Sequence, residues 1–127
     1  MNIQQASKQS GLPIKTVRYY DEIELVSAER AENGYRQYSE THIHKLVFLR
    51  NARNLGFSLD DCRQLLSLYE NKSRASADVK KIATSKIIEM ETKLRELEAM
   101  KATLSELVDA CHGDNRPDCP ILRGLGS

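Results

Sequence analysis

Apolar residues in the first seventy positions fall in short runs at helical spacing, each opened by a small polar residue or proline and two of the four closed by glycine. Asn2, with Gln5 three positions on, predicts a helix over roughly residues 3 to 10 that stops at Gly11. Leu12 and Pro13 turn the chain. Pro13 suits the start of a second helix, "IKTVRYYDE", with Ile14, Val17 and part of Tyr20 facing inward. Small Ser7, Gly11 and apolar Val17 are spaced as in a helix-turn-helix, where two helices cross closely. "AERAENGYRQYS" then breaks the helical period. Asn33-Gly34 predicts a two-residue type I′ hairpin, with Tyr35, Arg36 and Tyr38 on one short strand and Arg30 on the other. Ser39 caps the next helix, which ends at Gly56, with Tyr38 stapled onto Ile43 and an inner face of Ile43, Leu46, Val47, Phe48 and Leu55. A fourth helix follows Ser58, with Phe57 stapled onto Cys62 and with Leu59, Leu65, Leu66 and Tyr69 inward. Cys62 reads as a buried small hydrophobe, and His42 and His44 as surface or boundary residues.

Beyond "ENKSRA" the pattern changes. From Ser76, read as an N-cap, to about Asp109 there is no glycine or proline. Ala83, Ile87, Met90, Leu94, Leu97, Leu104 and Val108 follow steps of three and four, interrupted by Lys101. Such a helix is about 34 residues, or roughly 50 Å, long, too long to bury its stripe against so small a body. A homodimeric coiled coil is the expected solution, and the same phase brings Cys111 to the end of the seam.

Composition narrows the function class. The 127 residues carry 19 Lys plus Arg against 18 Asp plus Glu, so overall charge selects no partner. The first 56 residues hold eight basic and six acidic side chains, a weak positive tilt. Lys15, Thr16, Arg18 and Tyr19 cluster near the start of the second helix with no acid before Asp21, which offers donors to base edges and phosphates. A ribbon bearing Arg36 and tyrosines beside a helix-turn-helix reads as a wing gripping the phosphate backbone. No apolar run approaches membrane-spanning length and the N-terminus lacks a signal peptide's apolar core, so a cytoplasmic protein is expected. No nucleophile and base, and no pair of carboxylates, suggests an enzyme.

The remaining chemistry lies in "CHGDNRPDC". In a reducing compartment two nearby cysteines point to metal or redox chemistry more than to a structural bridge. Pro120 would begin a short helix with Cys119 as its N-cap, where partial positive charge favours thiolate. Two sulfurs are too few for a four-cysteine zinc site or an iron-sulfur cluster, but they suit a linear soft monocation such as Cu(I), Ag(I) or Au(I). A Zn(II) site completed by His112, Asp114 and Asp118, and a reversible disulfide, remain as alternatives.

Taken together, "TVRYYDEIELV", "ENGYRQY" and "LGFSLDD" resemble, in order and spacing, signature segments of the MerR regulators, and the likeness runs over essentially the whole chain. "SADVK" with "ACHGDNRPDCP" is similar to the copper-efflux regulators of that family. The resemblance implies a mainly α-helical protein: a winged helix-turn-helix domain with connecting helices over 1–70, a dimerisation helix over 76–110 forming an antiparallel coiled coil, and a metal-binding loop with a short C-terminal helix over 111–127. It implies a homodimer on double-stranded promoter DNA that activates transcription by RNA polymerase through metal-dependent bending and untwisting, with copper export or oxidation genes as targets. Arg18, Tyr20, Arg30, Tyr35 and Arg36 would contact DNA, with Lys15, Thr16 and Tyr19 on the exposed recognition face. Cys111 and Cys119 would bind Cu(I). Divalent-metal sensors of the family carry a third cysteine where this chain has Ser76, so Ser76 is implied to set metal selectivity. Two positions depart from the family pattern: Glu24 stands where relatives have Gly, altering the turn after the second helix, and His112 replaces Pro after the first thiol.

Overall fold

The computed structural model describes residues 1–126; Ser127, the last residue of the 111–127 segment, lies outside the described residues. Among the described residues six helices and one two-stranded ribbon follow in the order α1 (Ile3–Ser10), α2 (Ile14–Glu22), β1 (Glu29–Arg30), β2 (Arg36–Gln37), α3 (Glu40–Asn54), α4 (Leu59–Glu70), α5 (Ser76–Ala110) and α6 (Pro120–Gly126). The chain divides into two compact units, Met1–Ile82 and a second beginning at Ala83, so the first turns of α5 belong with the N-terminal body.

In the N-terminal unit the caps decide where helices begin. Asn2 accepts from the Gln5 amide while the Gln5 side chain accepts from Asn2, closing a reciprocal box. Ser39 and His42 do the same at α3, with His42 Nδ1 in the place of the usual Glu. Ser58 accepts from the Asp61 amide at α4. Helix ends are closed largely by arginine and by left-handed backbone. Gly11, at φ 78°, ends α1, and Arg50 Nη1 donates to the Ser10 carbonyl at 2.8 Å. Gly56, at φ 86°, ends α3 in a Schellman arrangement, with Phe57 N–H bonded to the Ala52 carbonyl and Gly56 N–H to that of Arg53.

One contiguous core joins α1 to α4: Ala6, Val17, Tyr20, Val26, Tyr38, Leu46, Leu49, Cys62 and Leu66 are buried. Cys62 is inaccessible, and burial pushes its thiol pKa up. Three residues expected inside are not. Ile14, in the first turn of α2, is 36% exposed. Leu55 is 59% exposed because it occupies the C-cap of α3, where the helix phase is already lost. Tyr69 is 53% exposed and lies against the half-buried Phe48, ring centroids 4.8 Å apart, at the rim of the core.

The hairpin also differs from expectation. The register pairs Glu29 with Gln37 and Arg30 with Arg36. Gly34 alone in the turn has positive φ, its N–H donates to the Ala31 carbonyl, and the Ala31 N–H donates to that of Tyr35. The connection is therefore a three-residue loop, Glu32 to Gly34, and not a two-residue type I′ turn. Asn33 contributes its side chain instead, accepting from the Tyr35 amide at 3.1 Å.

In the second unit, α5 leaves Ile87, Met90, Leu94, Leu97, Leu104 and Val108 all exposed along its length. Ser76 is the first residue of α5 rather than its cap. Helix α6 returns onto α5 at Gly124, where an added Cβ would sit 2.5 Å from Leu107 Cδ2. Only glycine allows that approach without moving Leu107. No described helix is long and apolar enough to cross a membrane.

Candidate metal centre and nucleic-acid interface

Helix α2 presents two faces. Val17 and Tyr20 are buried, whereas Lys15, Arg18 and Tyr19 are exposed and Thr16 is half-buried. Arg18 lines a cleft of about 500 Å³ with Tyr35 and Arg36 of the ribbon and with Asn2, Gln4 and Asn33. A basic helix end and a projecting tyrosine, 72% exposed, thus border one surface. Tyr20 does not join that face. It is 4% exposed, and burial raises its hydroxyl pKa, so its ring serves the core. Tyr38 likewise turns inward, and its hydroxyl is buried without a hydrogen-bond partner among the described residues.

Arg30 and Arg36, directly opposite each other on the ribbon, would repel without a counterion. Asp21 supplies it. Its Oδ2 accepts from Arg36 Nε at 2.7 Å and Arg30 Nη2 at 3.2 Å, and its Oδ1 accepts from the Ala28 amide at 2.8 Å. Burial alone would raise this carboxyl's pKa, but the Arg36 hydrogen bond, the Ala28 amide and the two guanidinium charges hold it below the usual carboxylate value. The sequence pointed Arg36 at the phosphate backbone and, by resemblance, Arg30 at DNA, and gave Asp21 no role. The available signal was electrostatic: a carboxylate in the last turn of a helix opposes the helix dipole and calls for a cationic partner.

The two thiols lie at the other end of the chain. Cys111 follows α5 directly, and Cys119 is the residue before Pro120 at the start of α6. Both are free and half-buried, and the Cys111 side chain is near enough to Cys119 to favour its thiolate. The Leu122 amide, with the Ile121 amide and the Cys111 thiol, draws the Cys119 pKa below its ordinary value against burial and the Asp118 charge. This is the N-cap role read from Pro120, with sulfur in the place of oxygen.

The loop's two carboxylates have partners already. Asp114 accepts from the Arg116 amide at 2.9 Å and from its guanidinium at 2.7 and 2.8 Å. Asp118 is 3.3 Å from Arg123, and His112 is exposed. Among the described residues no three His, Cys, Asp or Glu side chains converge as a metal cluster. The donor set brought together is two sulfurs, which fits a soft, low-coordinate ion. Ser76 opens α5, whereas Cys111 follows its last residue.

Comparison with known proteins places the chain in a family. The model of the MerR HTH family regulatory proteins matches residues 1–68, and the model described as MerR, DNA binding, matches 43–107. The chain is 58% identical to the HTH-type transcriptional regulator HmrR of Rhizobium leguminosarum bv. viciae, over 98% of this chain and 97% of the relative. It is 44% identical to the HTH-type transcriptional regulator CueR of Yersinia pestis, over 98% and 91%. Among solved structures, the transcription regulator PbrR691 of Ralstonia metallidurans CH34 in complex with Lead(II) superposes with a TM-score of 0.84 at 31% identity, covering 98% of each chain.

Proposed function

Because the chain belongs to the MerR family of DNA-binding transcription regulators, we propose that it is a Cu(I)-responsive activator of copper-detoxification genes, with Cys111 and Cys119 as the ligands. Members of the family are non-enzymatic and bind promoter DNA as dimers, acting with RNA polymerase. The metal-dependent function carried by its relatives supports an ion as the signal. The single observation that carries Cu(I) is the donor set: two adjacent thiols, with both loop carboxylates engaged by arginines and no third ligand from the same chain among the described residues. Bound between two thiolates, a monovalent ion leaves a complex of one negative charge, which the amides of Ile121 and Leu122 partly offset; Ag(I) and Au(I) share this chemistry.

The chain's own parts divide the work. Lys15, Thr16, Arg18 and Tyr19 of α2 face the major groove, and Tyr35 of the ribbon reaches the backbone. Arg30 and Arg36 orient the ribbon through Asp21 and offer their remaining N–H groups to phosphate. The exposed stripe of α5 pairs with a second copy, which brings the partner's Ser76 to the sulfurs. Cys119 caps α6, so drawing the two sulfurs onto one ion biases the seating of α6 on α5. Linkage carries that bias to DNA shape, because a signal alters the DNA only as far as it favours one protein state over another.

A Zn(II) or other divalent regulator is the second reading, favoured by the Lead(II) complex of the solved relative. A thiol-disulfide switch is a third, and it predicts activation by oxidant without metal. Anaerobic competition titration separates them. Cu(I) is expected to bind tighter than Zn(II), with binding abolished by Cys111→Ser. Tighter Zn(II) binding, or uptake indifferent to that substitution, overturns the proposal.

A further inference from the structure

Helices α2 and α3 end in the same motif with different residues. At α3 the left-handed position is Gly56. At α2 it is Glu24, at φ 58°, the one non-glycine residue with positive φ among those described. The Leu25 N–H donates to the Tyr20 carbonyl at 2.9 Å and the Glu24 N–H to that of Asp21 at 3.1 Å, which completes the Schellman pattern. A side chain at this position strains the backbone, and such conformations persist where surrounding contacts over-determine them.

The extra contact comes from α4. Arg63 Nη2 donates to the Ile23 carbonyl at 2.9 Å and Nη1 to the Glu24 carbonyl at 3.3 Å. One planar guanidinium thus bridges two successive carbonyls at the C-terminal end of α2, where the helix dipole favours a cation. Asp21, one turn earlier, ties the same helix end to the ribbon. The exit of α2 is therefore fixed from both sides.

We propose that Arg63 is a positioning residue for DNA recognition: by clamping the strained Glu24 turn it sets the pose of α2 on α4. Recognition depends on that pose because base-edge contacts are directional, whereas phosphate attraction tolerates displacement. Arg63 acts through α2 and touches no base. The inference rests on the DNA-binding role of the chain and is independent of which metal is sensed.

The test uses the full chain and an operator that the wild-type protein selects from random-sequence duplexes. Affinities for the selected duplex and a scrambled one are measured at one salt concentration, at a temperature where circular dichroism shows every variant folded. Arg63→Ala is expected to weaken selected-duplex binding about tenfold, the effect of one charge-assisted contact, with scrambled-duplex binding changed less than about twofold. Glu24→Gly removes the strain, so Arg63→Ala added to it should cost only about threefold or less. An unchanged ratio of selected to scrambled affinity, equal weakening on both duplexes, or the same loss with and without Glu24→Gly overturns the proposal. Failure of the wild type to select any sequence instead refutes the DNA-binding reading itself.

Discussion

Replacing Asp21 by Asn preserves shape and removes charge, and the structure allows its cost to be estimated. The Asn oxygen still accepts from the Ala28 amide, so that bond survives. The bond from Arg36 Nε, 2.7 Å long, joins a side chain 21% exposed to one 9% exposed. A hydrogen bond between charged groups in such a setting contributes about 1.5 to 3 kcal/mol. Arg30 is 52% exposed and adds little beyond this. The loss should be about 2 kcal/mol, or a fall in Tm of roughly 8 to 16 °C for a cooperative unit of this size. Urea and thermal unfolding by circular dichroism at pH 7, with protomer concentration held constant, measures it. The pH dependence supplies the sign. The folded carboxyl titrates below its unfolded value of about 3.9, so its contribution is complete above that value and disappears as pH falls through the folded one. The gap between wild type and Asp21→Asn should therefore be full at pH 7 and close in acid. A difference under about 0.5 kcal/mol at pH 7, or a gap that widens on acidification, refutes the assignment of Asp21 as the anchor of the ribbon.

Two further substitutions probe the second unit. Gly124→Ala places a methyl against Leu107 and should loosen α6, seen as faster hydrogen exchange over Ile121 to Leu125; Leu107→Ala in the same chain should restore protection, and protection unaffected by either change denies the contact. Leu97→Glu puts a charge in the middle of the exposed α5 stripe and should shift sedimentation equilibrium toward monomer by at least about tenfold in dissociation constant, whereas an unchanged dimer would mean that the stripe is not the seam.

Much of this fold was legible because local chemistry sets the boundaries of its elements. Asn2 with Gln5, Ser39 and Ser58 each satisfy amide groups within three residues, so the helix starts follow from sequence neighbours alone. Cys119 was legible as a cap for the same reason, since Pro120 marks a first helical turn. What escaped depends on distant partners or on geometry beyond residue type. Asp21 meets arginines nine and fifteen positions away, and Arg63 meets carbonyls some forty positions back. The Asn33-Gly34 pair suits more than one turn, and the strand register decided for the three-residue loop. Tyr20 was assigned outward by resemblance although its spacing from Val17 places both on one side of α2.

The arginines that close helix ends also bear on how ionic strength acts. Arg50, Arg53 and Arg63 direct guanidinium groups at the carbonyls of Ser10, Phe57, Ile23 and Glu24, and Arg36 is bound to Asp21. Cations so engaged neutralise fewer phosphates, and so release fewer of the counterions condensed on a duplex, than their number suggests. A plot of log affinity against log salt for this head should therefore be shallower than a count of its lysines and arginines implies.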